Sequence, residues 1–145
     1  MEINPEQKPV RIVVDTRERG KIISKLEALP GVSLEFAEQE SGDYLLGNGV
    51  VIERKSATDF ILSIVDRTLV EKVEKIKALY PKPIFIVEGD MFAMRFHQKA
   101  FDVHMALSYM AVVQNIPVLT SPDAEQSAML IYLMARDAQH VLPPS

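Results

Sequence analysis

Short apolar runs alternate with stretches of helical period along this chain. Val10 to Val14 is a β-branched run that ends at Asp15 and reads as a strand. Ile22, Ile23, Leu26 and Leu29 recur at helical spacing, and Pro30-Gly31 stops that helix. Val32 to Phe36 alternates as a strand. Asp43 to Leu46 and Val50 to Lys55 flank Gly47-Asn48-Gly49 and read as a hairpin. Ser56 stands where the N-cap of a helix through Phe60, Ile61, Ile64 and Val65 belongs. Leu69, Val73, Ile76 and Tyr80 form one face of a second helix, with Glu71 and Lys75 as an i,i+4 pair on the other. Pro81 ends it. Pro83 to Glu88 is a candidate buried strand, Phe101 to Val113 an apolar helix, and Ile116 to Leu119 a strand. Ser121-Pro122 opens the last helix, with Pro at its first position. This alternation predicts an α/β domain with a mixed sheet flanked by helices, spanning residues 10–139. Residues 1–9 read as a flexible start and 140–145 as a flexible tail.

Composition narrows the class. A chain of 145 residues suits one domain and is long enough to bury a core without staples. There is no cysteine, which excludes a disulfide framework, a zinc finger and thiol catalysis. The start, MEINPEQKP, is polar and lacks the apolar stretch of a signal peptide. The longest apolar run, Ala128 to Ala135, is too short to span a bilayer. The expectation is therefore an intracellular protein, neither secreted nor membrane-bound. A net charge of −4 counts against a nucleic-acid partner unless the charge is segregated. Arg54 to Lys82 is locally basic, with seven Lys and Arg against four Asp and Glu. A solvated helix face is the plain explanation of that excess.

The hairpin carries the candidate chemistry. Residues i and i+2 of a strand share a face, so Glu53 and Lys55 point one way and Arg54 the other. A carboxylate beside an ammonium is either a rim ion pair or part of a site for a hard divalent cation and a positioned water. The second reading needs another carboxylate, and Asp43 is the candidate. A two-residue Asn48-Gly49 turn would pair Gly47 with Val50 and put Asp43 opposite Arg54, on the wrong face. A three-residue Gly47-Asn48-Gly49 loop, pairing Leu46 with Val50, puts Asp43 opposite Glu53. The metal-site reading therefore predicts that loop, or a bulge of equal effect. Asp15 ends a strand, where open α/β sheets tend to place ligands, but Asp15-Thr-Arg-Glu18 also reads as a capping box. Ser56-Ala-Thr-Asp59 has the same form.

These pieces together resemble a known family. Val13-Val-Asp15-Thr-Arg17-Glu18, Gly42-Asp43-Tyr44 and Ile52-Glu53-Arg54-Lys55-Ser-Ala-Thr-Asp59 closely resemble the nuclease domain of the XPF family of structure-specific endonucleases, archaeal XPF and Hef above all. Ile84 to Gly89 resembles the family's next core strand, and Asn115 to Glu125 its late strand and final helix start. The resemblance implies a restriction-endonuclease-like core that cuts branched, forked or flapped DNA with Mg2+ or Mn2+. It implies Asp43, Glu53 and the Arg54 main-chain carbonyl as metal ligands, with Asp15 a carboxylate near the metal. It further implies Lys55 as the catalytic lysine, and Arg17, Glu18, Arg54 and Asp59 as residues that support the site. Two departures stand out. Many relatives have a glycine between the aspartate and arginine after the active-site helix, whereas Asp66 is followed directly by Arg67. Relatives also carry a helix-hairpin-helix module or a helicase, which this sequence lacks, so it reads as a bare nuclease or a fragment that borrows DNA affinity.

Ala128 to Ala135 is apolar all round, and Phe101 to Val113 nearly so, with Met105 and Met110 on it. The resemblance implies a homodimer through these C-terminal helices, or a heterodimer with a related subunit. His97, His104 and His140 lack metal-like spacing and read as surface or packing residues. Two alternatives to the endonuclease stay open: a catalytically silent DNA-binding or scaffold subunit, and a restriction-like nuclease with another substrate.

Overall fold

The computed structural model describes residues 8–141, so most of the flexible start expected at residues 1–9 and of the tail expected at residues 140–145 lies outside the described residues. The chain runs β1 (Val10–Asp15), α1 (Lys21–Glu27), β2 (Val32–Ala37), β3 (Tyr44–Gly47), β4 (Val50–Ser56), α2 (Ala57–Val65), α3 (Leu69–Leu79), β5 (Lys82–Glu88), α4 (Ala100–Ser108), β6 (Val118–Ser121) and α5 (Ala124–His140). A 3₁₀ segment, Met94–Lys99, precedes α4, and a π turn, Tyr109–Val113, follows it. The strands form one six-stranded mixed sheet in the order β2-β1-β3-β4-β5-β6. The hairpin β3-β4 is antiparallel and central, β4-β5-β6 are parallel, and β1 pairs parallel with β2 and antiparallel with β3.

Strand alternation sends successive side chains to two separate cores. Ile12, Val14, Tyr44, Leu46, Ile52 and Ile86 pack under α1 and α5. Val51, Phe85 and Val87 pack under α2, α3 and α4. The result is helices on both faces of a sheet, the α/β architecture expected from the alternation of elements.

Several boundaries differ from the sequence expectation, each for a local reason. Pro122 precedes the last helix instead of opening it, because Asp123 is the N-cap and its side chain accepts from Gln126 N at 2.8 Å. That helix continues through His140, whose Nε2 lies 2.7 Å from the Pro9 carbonyl oxygen. β6 starts after Pro117, since Ile116 N is already given to Met110 O. Glu71 and Lys75 form no ion pair among the described residues. Arg67, which follows Asp66 directly, takes a left-handed φ of 63°.

The hairpin register takes the second of the two forms the metal-site reading allowed, a tight turn with a bulge in place of the longer loop. Asn48 and Gly49 have φ of 51° and 81°, the signature of a type I′ two-residue turn, and Gly47 pairs with Val50. The three-residue loop is therefore absent. A bulge at Leu46 restores the register, so that Leu45 faces Val51 and Tyr44 faces Ile52. Both demands are met at once: the Asn-Gly turn takes its preferred form, and Tyr44 and Leu46 stay buried in the α1/α5 core. Gln139 of α5 fastens the bulge by donating from Nε2 to Leu46 O at 2.8 Å, and the same nitrogen reaches Arg11 O at 2.6 Å.

Candidate active site

One step further down the bulged register, Asp43 comes opposite Glu53. Asp43 N donates to Ile52 O at 2.8 Å, which continues the ladder to that point. Asp43, Glu53 and Lys55 thus share the sheet face covered by α2 and α3, and Asp15 reaches it from the end of β1. These four side chains line one cavity of about 360 Å³, joined by Arg17, Glu40, Lys72 and Lys75, with Ile76 and Phe85 as its apolar part.

Each carboxylate is held differently. Asp43 accepts from Arg54 N at 2.7 Å, so the β4 backbone aims it. Burial, and behind it the charge of Glu53, push the Asp43 carboxyl up to about 8. Burial also raises Glu53, while Lys55 beside it acts the other way. Two half-buried like charges in one cavity are relieved by a proton or by a cation. Asp15 is different. Its side chain accepts from Arg17 Nε at 2.8 Å and from Gln39 N at 3.0 Å. Burial pushes its carboxyl up, but the Arg17 guanidinium and the Gln39 amide outweigh that, so it lies below the ordinary value. The capping-box reading of Asp15 fails, since α1 starts later, at Lys21, with Gly20 before it and no side-chain cap.

Among the described residues no three His, Cys, Asp or Glu side chains converge as a ready-made cation cage. The donor set in this cavity is a half-buried carboxylate pair, a third carboxylate occupied by an arginine, and the exposed Glu40. That suits Mg2+, which keeps several waters and takes only one or two carboxylates from protein.

Arg54 points to the opposite face, as its strand parity requires. There its guanidinium grips Glu88 with two bonds of 2.9 Å, and Glu18 stands 3.6 Å away. Ser127 Oγ of α5 donates to Glu88 Oε1 at 2.7 Å and lies 2.9 Å from Ser121 Oγ. Burial raises Glu18 above its usual range. The Tyr44 hydroxyl is buried beside this network next to Glu18 and has no partner at hydrogen-bond geometry among the described residues; burial first, then the Glu18 charge, push it up. The ion pairs of Arg54 therefore hold from behind the strand whose amide aims Asp43. Asp59 sits in the first turn of α2, where its backbone N donates to Ser56 Oγ at 3.0 Å; it is exposed and outside the cavity.

Comparison with known proteins places this arrangement. The ERCC4 domain model matches residues 14–134, which includes every residue of the cavity. The chain belongs to the ERCC4-domain family. A Methanocaldococcus jannaschii protein described as an ATP-dependent RNA helicase is 34% identical over 135 residues, 92% of this chain. The 3′-flap repair endonuclease Xpf of Saccharolobus solfataricus is 28% identical over 131 residues, 90% of this chain. XPF from Aeropyrum pernix, solved in complex with DNA, superposes with a TM-score of 0.85 at 28% identity, covering 94% of this chain and 68% of that one. The chain spans only 16% and 56% of the length of the first two relatives. The ERCC4 match and the superposition bear out the motif resemblance and the fold.

Within this ERCC4 domain the cavity gathers Asp15, Arg17, Asp43, Glu53 and Lys55 and leaves Glu18, Arg54 and Asp59 outside it. In the sequence Lys75 stands out only as the i,i+4 partner of Glu71 and Glu88 only as a strand end, and Lys72 and Ser127 carry no signal of their own. The basic excess after Arg54 was a usable signal for the two lysines. Nothing local marks Ser127, which meets Glu88 only because α5 crosses β5.

Proposed function

We propose that this chain is a divalent-metal-dependent endonuclease domain that hydrolyses phosphodiester bonds in branched, forked or flapped DNA. The observation that carries the reading is the bulged register, which brings Asp43 and Glu53 together with Lys55 beside them in an ERCC4-family chain. The relatives' names support the substrate class: one is a 3′-flap repair endonuclease and another an XPF solved with DNA. A DNA substrate is consistent with an intracellular setting, and among the described residues no helix is long and apolar enough to cross a membrane.

Asp43, Glu53 and the Arg54 main-chain carbonyl would hold Mg2+ or Mn2+, with Asp15 close by. The bound ion would supply positive charge to the phosphate oxygens and lower the pKa of a bound water. Lys55 donates hydrogen bonds toward the same space, orienting the attacking water and stabilising charge that builds on the phosphate. Water gives up a proton to solvent as it adds to phosphorus, the bond to the leaving sugar oxygen breaks, and that oxygen takes a proton from solvent. Arg17 keeps Asp15 ionised, and the grip of Glu18 and Glu88 on Arg54 supports the strand from the other face. Asp59, outside the cavity, supports the start of α2 through the negative end it offers the helix dipole.

Cutting assays on labelled duplex, flap, fork and single-stranded DNA, with and without Mg2+ or Mn2+, test the reading. Metal-dependent cutting near the junction, lost in Asp43→Ala and Lys55→Ala, is expected. Cutting that survives both substitutions would sink the site assignment. Binding without cutting favours the silent scaffold, and cutting without branch preference favours a restriction-like nuclease.

A dimer is part of the same proposal. Part of the apolar surface left uncovered lies on α4 and the turn after it, with Phe101 and Met105 exposed along with Val112 and Val113. In α5, Ala128, Ile131, Tyr132 and Ala135 are buried in the chain's own core, while Met129, Leu130 and Leu133 stay half-buried and can extend the contact. Sedimentation at micromolar concentration is expected to show a dimer, homotypic or with a related subunit added.

A further inference from the structure

We infer that α3 is the wall of the cleft that seats the DNA strand, with Lys72 and Lys75 taking its backbone phosphates. The inference rests on the nucleic-acid reading above and adds which side of the cavity carries the strand and which groups hold it.

Three observations support it. First, charge on α3 is segregated by face. Leu69, Val73 and Ile76 anchor the helix in the core. Lys72 and Lys75 then line the cavity with Asp43 and Glu53, whereas Glu71 and Glu74 do not. A helix that was only solvated would have no reason to put two of its three lysines on the acidic cavity and both its carboxylates elsewhere; the third, Lys77, donates to the Gln114 carbonyl oxygen. Second, these lysines are uncommitted. Among the described residues neither enters an ion pair, while Arg17 on the opposite wall is bound to Asp15 and to the Gln39 carbonyl oxygen. Third, spacing suits a phosphate chain. Side chains three apart on a helix lie about 5–6 Å apart at Cβ. One strand of duplex carries a charge every ~3.4 Å of rise. The pair therefore spans one or two successive phosphates. The chain as a whole is acidic, with a net charge of −4, so a few placed cations must supply the electrostatic attraction.

The test is binding of a fluorescein-labelled forked DNA to the 145-residue chain in EDTA, by anisotropy, from 50 to 200 mM salt. Each phosphate contact contributes about 0.7–0.9 to the slope of log affinity against log salt. Lys72→Ala/Lys75→Ala is expected to reduce that slope by ~1–2 and to weaken binding about tenfold at low salt. In cutting assays most of its loss should appear in KM. Lys82→Ala, at the far end of β5, removes the same kind of charge and should leave the slope unchanged. An unchanged slope with affinity within about twofold of the parent, or an equal loss in Lys82→Ala, overturns the inference. The two readings fail separately. A parent that cuts DNA while the double variant keeps its slope removes the role of α3 and leaves the nuclease. A parent that never cuts, with the slope lost in the double variant, does the reverse.

Discussion

Replacing Asp43 by asparagine should make the metal-free protein more stable at alkaline pH. Asparagine keeps the oxygen that accepts from Arg54 N but carries no charge against Glu53. The sign follows from proton binding. The Asp43 carboxyl rises from its ordinary 3.8 to about 8 in the fold, for burial first and Glu53 second. Between about pH 4 and pH 8 the folded chain holds a proton that the unfolded chain has released. Stability is therefore fully present below pH 4 and falls as pH rises through 8. Each pH unit of displacement is worth about 1.4 kcal/mol, which sets a ceiling near 5–6 kcal/mol. Glu53 shares the proton and the cavity opens to water, so an effect of about 1–3 kcal/mol is expected. Urea unfolding in EDTA at pH 5 and pH 8.5 measures it. The parent should lose that amount relative to Asp43→Asn, because every other carboxylate is common to both. Added Mn2+ should reverse the order, stabilising the parent by ~2.7 kcal/mol at a hundredfold excess over Kd and the variant by less. Parallel pH profiles of the two proteins would refute the argument that the fold forces these carboxylates together.

Two further substitutions probe the supports of the site. Gln139→Ala removes the donor to the bulged Leu46 carbonyl, and urea unfolding should show a loss of about 1–2 kcal/mol. Cutting activity should fall with it if the bulge holds Asp43 in register. Glu88→Gln cannot grip Arg54 with two charged oxygens, and a loss of about 1.5–3 kcal/mol by the same measurement is expected. Ser127→Ala, which leaves that ion pair standing, should lose less.

The elements were legible because their signals are local. Helical spacing in Leu69, Val73 and Ile76 and the β-branched run of β1 each specify an element without reference to the rest of the chain. Boundaries slipped where a competing group took a backbone partner, as Asp123 did ahead of α5 and Met110 did for Ile116. The ERKxxxD stretch made Glu53 and Lys55 candidates through strand parity alone. Asp43 needed a register, and two registers were compatible with the local sequence.

By itself the sequence determined the alternation of strands and helices, the absence of thiol chemistry and the family motif. All of these are properties of composition or short spacing. Only the tertiary structure decided that Asn48-Gly49 turns tightly while Leu46 bulges, because that choice depends on burying Tyr44 and Leu46 under α5 and on Gln139, far along the chain. It also decided which charges meet. Asp15 turned to Arg17, Glu88 to Arg54 and Ser127, and Lys72 and Lys75 of α3 to the cavity that holds Asp43 and Glu53. Apart from Asp15 with Arg17, two residues away, these pairings join residues distant in sequence, and their energies depend on burial that exists only once the layers have packed.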